Sequence, residues 1–141
     1  MLLDDNNISI DNKAISGPIT GEAMPLTSLL RPGRAEPVCV FIRATEAAAG
    51  GTSLKIEIKQ SDSEKDSYAS VASATVAAAD LKPGAILGWR WLPPQVTKCW
   101  IRIKTTPTGD FTAGKIFAAV VREDPQEYED GMYIDKGYLM C

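Results

Sequence analysis

One seven-residue stretch constrains the fold of this chain more than any other. In Ser53-Leu54-Lys55-Ile56-Glu57-Ile58-Lys59 every second side chain is apolar. A period of two puts Leu54, Ile56 and Ile58 on one face of a strand and the charges on the other. Thr97-Lys98-Cys99-Trp100-Ile101-Arg102-Ile103-Lys104 repeats the pattern. It predicts Cys99, Ile101 and Ile103 inward, with Lys98, Trp100, Arg102 and Lys104 outward. Val38-Cys39-Val40-Phe41-Ile42 and the run from Lys115 to Arg122 are mostly continuous apolar stretches, as strands in a core are. Ser70 to Ala79 reads as an irregular strand, and Ala85 to Trp91 as a strand stopped by Pro93-Pro94. Between them, Ala47-Ala48-Ala49-Gly50-Gly51 reads as a hairpin loop and Ser61 to Ser67 as a solvated loop. Asp80-Leu81-Lys82-Pro83-Gly84 and Pro107-Thr108-Gly109-Asp110 read as turns. No stretch has convincing amphipathic helical spacing. Strands and turns at this spacing predict an all-β chain, an antiparallel β-sandwich or jelly roll. Val40, Ile42, Leu54, Ile56, Ile58, Ile101, Ile103 and Phe117 are its expected inner face.

The two ends differ from this middle. Gly17-Pro18, Gly21, Pro25, Pro32-Gly33 and Pro37 break residues 1–36 too often for a long helix. They predict an extended N-terminal arm with brief contacts from Ile8, Ile10 and Ile15. The sandwich is placed at residues 37–122. Residues 123–141 hold six acids against Lys136 alone, a net charge of −5 in a chain of net −3. That segment also carries Tyr128, Tyr133 and Tyr138 and ends in Leu139-Met140-Cys141. A purely solvated tail has little use for so much apolar surface. The composition is that of an arm that docks on something, beyond a sandwich that folds without it.

Composition excludes several chemistries. The 141 residues contain no His, so there is no Ser–His or Cys–His pair and no His metal ligand. Phosphate-loop, dinucleotide, zinc-protease and nucleophile-elbow motifs are all missing. Asp4-Asp5 and Glu129-Asp130 lie near the ends, where nothing would separate their pKa values for acid–base work. Asp62-x-Glu64-x-Asp66 repeats carboxylates as a calcium loop does. It lacks that loop's Gly and distal Glu, and Lys65 sits within it. The chain is therefore expected to be no enzyme and to hold no cofactor or metal. The three cysteines have no C-x-x-C spacing and read as reduced thiols, with Cys39 and Cys99 buried. The start has no basic n-region, and the longest apolar run, Ile116 to Val121, falls far short of the roughly 20 residues of a spanning helix. Neither a signal peptide nor a membrane partner is expected.

The aromatic and basic residues leave two uses open. Trp89 and Trp91 share a strand face, which suits core filling. Trp100, between Lys98 and Arg102, suits an exposed anchor. Trp89, Trp91 or Trp100 would also suit a carbohydrate-binding β-sandwich. The strip Lys98, Trp100, Arg102, Lys104 has the make-up of a single-strand nucleic-acid platform. With a pI near 5.0 the chain carries no global basic field, and an acidic segment of a neighbouring copy is the preferred partner over nucleic acid. The interface candidates are Trp100, Lys98, Arg102, Lys104, Tyr128, Tyr133, Tyr138 and Leu139.

Residue order adds a resemblance. Leu54 to Asp62, Ala79-Asp80-Leu81-Lys82-Pro83-Gly84, Leu92-Pro93-Pro94, Ile101-Arg102-Ile103 and Gly109-Asp110-Phe111-Thr112-Ala113-Gly114-Lys115-Ile116 carry it. Over residues 36–122 the chain resembles the capsid cement (decoration) proteins of tailed bacteriophages, in the form found in Bordetella phages of podovirus type. Phe111-Thr112-Ala113-Gly114 is the most specific part. The resemblance implies a jelly-roll domain on the outer surface of a virion head, made in the bacterial host cytoplasm. It implies the major capsid protein as partner and self-association as a dimer or trimer, partly by β-strand addition and charge pairing. The acidic tail departs from that pattern, so its docking role rests on composition alone.

Overall fold

The computed structural model describes residues 7–26, 39–65 and 67–121. Its strands are β1 (Ile8–Ala14), β2 (Ile19–Thr20), β3 (Met24–Pro25), β4 (Cys39–Gly50), β5 (Ser53–Ser61), β6 (Ala69–Ala77), β7 (Trp100–Thr108) and β8 (Phe111–Val121). A 3₁₀ turn covers Ala78–Asp80. One sheet has the order β1-β8-β4; the other has β2-β7-β5-β6, with β3 also paired to β7. Every ladder is antiparallel. The sheets pack face to face as a β-sandwich, as the alternation predicts.

The core is where parity places it. Leu54, Ile56 and Ile58 on β5, Ile101 and Ile103 on β7, and Val40 and Ile42 on β4 are all 0% exposed. Ile116, Ala118 and Val120 meet them from β8 in one apolar cluster. Phe117 corrects the expected inner face. Arg43 lies opposite Phe117 and Phe41 opposite Ala119, so both phenylalanines point away from the second sheet. Their rings meet edge to face at 5.8 Å. Ile116 to Val121 is apolar on both faces, so its sequence holds no parity from which to read the side.

The hairpin expected at Ala47–Gly51 is instead a corner. β4 pairs with β8 in one sheet, and β5 pairs with β7 in the other. The β4–β5 and β7–β8 connections therefore form one two-stranded ribbon that folds over between the sheets. At the fold Gly51 N–H donates to the Asp110 carbonyl at 3.0 Å, and Thr52 N–H to the Thr108 carbonyl at 2.7 Å. Gly51 has φ +61°, and a Cβ there would lie 2.5 Å from the Phe111 ring. Only glycine combines that backbone with that approach.

Three further expectations change. Residues 8–26 are not an arm outside the sandwich: β1 joins the three-stranded sheet and β2 and β3 line β7. Ile10, Ile15, Ile19, Met24 and Leu26 are all buried in the core. Ser9 links the layers, its Oγ donating to the Glu22 carbonyl at 3.0 Å and accepting from Ile103 N–H at 3.1 Å. The breakers cut this segment into pieces of two to seven residues, mostly too short to show a period but long enough to hydrogen-bond. The rest of the proposed arm and the tail lie outside the described residues. Ala85 to Trp91 is not a strand, because Gly88 turns the backbone at φ +74°. It still closes the free edge of β4, with Val40 N–H donating to the Arg90 carbonyl and Leu87 N–H to the Ile42 carbonyl. Cys99, expected inside, is exposed, since β7 begins only at Trp100; Cys39 is buried.

Candidate functional site

The outward residues of β7 and β5 share one surface because the register aligns them. Lys59 lies opposite Arg102, Glu57 opposite Lys104 and Lys55 opposite Thr106. With Lys98 just before β7, five cations, Lys55, Lys59, Lys98, Arg102 and Lys104, stand against Glu57 and Asp62. The predicted strip Lys98, Trp100, Arg102, Lys104 thus forms on the outside of the sandwich, and β5 widens it. The alternation placed Lys55 and Lys59 outward; only the pairing of β5 with β7 joins them to the strip.

The cations are held differently. Lys98 Nζ pairs with Asp62 Oδ2 at 3.1 Å, and the two side chains are 40% and 81% exposed, so water screens the pair to about 0–1 kcal/mol. Gln60, turned inward, accepts from the backbone N–H of Thr97 and Lys98 at 2.9 and 3.3 Å and so positions that lysine. Lys55 Nζ lies 3.4 Å from Glu57 Oε1, which also accepts from Ser70 Oγ at 3.3 Å. The Arg102 guanidinium stacks over Tyr68 at 4.1 Å from its centroid, a cation–π contact that presents it flat on the surface. Its Nε is buried without a hydrogen-bond partner.

Two features flank this face. Trp100 is half-buried and lines an open cleft of about 470 Å³ with Asp11, Lys13, Glu22, Pro25 and Glu64. The parity of β7 placed Trp100 outward; the acids facing it come from β1, the β2–β3 link and the β5–β6 loop and had no signal in the sequence. On the other side, β6 pairs only with β5 among the described residues, which leaves one of its edges open. Its nine residues, Ala-Ser-Val-Ala-Ser-Ala-Thr-Val-Ala, include no charge and no proline. Such an edge offers a row of backbone donors and acceptors with nothing to repel a partner strand.

Trp89 and Trp91 do not share a face. Trp89 packs against the core, whereas Trp91 is 37% exposed under Arg90, whose guanidinium lies 5.2 Å from its ring. A loop, unlike a strand, imposes no alternation. Tyr128, Tyr133, Tyr138 and Leu139 lie outside the described residues. Among the described residues no group of His, Cys, Asp or Glu is arranged to hold a metal ion, and no helix is long and apolar enough to cross a membrane.

Comparison with known protein families matches residues 15–121 to Bbp16. No curated protein matches the chain.

Proposed function

The chain belongs to the Bbp16 family, a family of Bordetella phage proteins, and from that premise we propose that it is a structural virion protein. In this reading it is a capsid cement protein on the outer surface of a phage head, made in the host cytoplasm. It binds the major capsid protein and further copies of itself, bridges neighbouring subunits and catalyses nothing. The observation that carries the reading is the open, uncharged edge of β6 at the margin of a basic sheet face. An edge of that kind can be extended by a strand from a neighbour, while the lysines and arginine select acidic surroundings. Each contact can be weak, because repetition on a lattice raises avidity by about 10²–10⁴. Heads carrying the protein should withstand higher temperature and stronger osmotic shock than heads assembled without it. Equal failure of both at saturating occupancy overturns the proposal.

The cleft at Trp100 favours a second reading, carbohydrate binding, since its volume lies in the usual range for ligand sites and combines an indole with several acceptors. Trp89 and Trp91 contribute no platform to it. Binding of the isolated protein to a glycan array, lost in Trp100→Ala, would support that reading over the first.

A further inference from the structure

The cations of the β5–β7 face fall into two groups. Lys98 is held by Asp62 at 3.1 Å, and Lys55 by Glu57 at 3.4 Å. Among the described residues no carboxylate pairs with Lys59, Arg102 or Lys104. The register brings these three together all the same. Lys59 lies directly opposite Arg102, and Lys104 follows two residues on along the same face of β7. Opposed residues of two strands sit about 4.5–5.5 Å apart, and residues i and i+2 of one strand about 6.8 Å apart. Like charges at such distances repel. The nearest remedy is Glu57, which lies opposite Lys104 but is engaged by Lys55 and Ser70 instead. Arg102 is also held in place. Its guanidinium stacks on the Tyr68 ring, and Tyr68 is fixed in turn by its hydroxyl, which donates to the Glu64 carbonyl at 2.8 Å. With Nε buried and unpartnered, the two terminal nitrogens are left to meet a partner. None of the three cations is buried.

We propose that Lys59, Arg102 and Lys104 form a binding site for an extended acidic protein segment with carboxylates at alternate positions. One carboxylate is taken by the Arg102 fork, whose planar nitrogens match the two oxygens, with Lys59 beside it. The next carboxylate of an extended segment lies two residues on, about 6.8 Å away, which is the spacing from Arg102 to Lys104. The stack on Tyr68 lowers the cost of ordering the arginine when the partner arrives. A nucleic-acid strand fits this face less well, because its phosphates need a continuous track of cations. Here the cations are bounded by acids. Glu57 stands beside Lys104, Asp62 beside Lys98 with its side chain 81% exposed, and Glu22 and Glu64 line the cleft at Trp100. The site gives a chemistry to the acidic surroundings named above and rests on that reading of the basic face, but its occupancy is decided on the isolated protein, without phage heads.

Calorimetric titration of the full chain at low salt tests this with a blocked peptide, Thr-Glu-Thr-Glu-Thr-Glu-Thr. It should bind more tightly than its isomer Thr-Thr-Glu-Glu-Glu-Thr-Thr, which has the same charge in a different spacing. Arg102→Lys keeps the charge but removes the fork, and should weaken binding of the first peptide by roughly tenfold, as the loss of one charge-assisted hydrogen bond does. Tyr68→Phe keeps the ring but not the anchoring hydroxyl, so it should weaken binding less than Arg102→Lys. Lys115→Gln, a change on the other sheet, should leave the affinity unchanged. Urea midpoints equal to that of the unaltered protein confirm that each variant is folded. No binding of the first peptide, equal binding of the two isomers, or equal affinity in Arg102→Lys overturns the proposal. Tighter binding of an oligothymidylate than of either peptide overturns it as well, since the face would then read phosphates. Heads that gain no stability from a protein that still binds the first peptide would refute the cement reading and leave this site standing.

Discussion

Three glycines that look alike in sequence should respond differently to a single methyl group. Gly17 has no positive φ, and an added Cβ would have nothing within 4 Å. Gly84 has φ +84°, also with nothing within 4 Å. Gly51 has φ +61°, and its Cβ would lie 2.5 Å from the Phe111 ring. Gly17→Ala should stabilise by about 0.4–1 kcal/mol through the unfolded chain, which loses freedom while the folded one loses nothing. Gly84→Ala should cost about 1–2 kcal/mol, the left-handed backbone penalty alone. Gly51→Ala adds a clash to that penalty. Phe111 is 6% exposed and packed in the core, so its ring cannot swing away. Overpacking of this kind adds about 1–3 kcal/mol, for a total of about 2–5 kcal/mol. Urea titration resolves the series: with a slope of about 2 kcal/mol per molar, Gly51→Ala lowers the midpoint by roughly 1–2.5 M. Equal midpoints for Gly51→Ala and Gly84→Ala would mean that the corner between the sheets is not tight, and the ribbon description would fail.

Ile56→Ala and Ile103→Ala should each cost about 2–5 kcal/mol, as buried isoleucines do. Glu57→Ala and Lys104→Ala should stay within about 0.5 kcal/mol; urea midpoints in the reverse order would mean a one-residue slip in register. Lys59→Glu with Lys104→Glu should lower occupancy on phage heads in a pelleting assay. The gap from the unaltered protein should narrow at high salt, because the screening length falls from about 10 Å at 0.1 M to about 3 Å at 1 M; equal occupancy at low salt removes the basic face from the contact. In the folded protein Cys99 should react with an aromatic disulfide long before Cys39, and mass mapping of the first adduct to Cys39 would contradict the burial of that thiol.

The sequence by itself determined which way side chains point wherever a strand has one polar face. Leu54, Ile56 and Ile58, and Ile101 and Ile103, could be read from alternation alone, as could the outward Trp100, Arg102 and Lys104. The all-β class followed from those strands and from glycines and prolines at turn spacing. Where a strand is apolar on both faces, as at Ile116 to Val121, the period vanishes, and Phe117, expected inward, packs outward on Phe41. The same held for Cys99, which sits just before its strand begins and so escapes the alternation. Only the tertiary structure decided which strand lies beside which. Periodicity is a property of one segment, whereas a ladder joins segments far apart in the chain, as Ser9 and Ile103 meet across 94 positions. Hence the Gly50-Gly51 stretch could be recognised as a bend, but not as a corner between two sheets. Likewise Lys55 and Lys59 could be seen to face water, but not to face it beside Arg102 and Lys104.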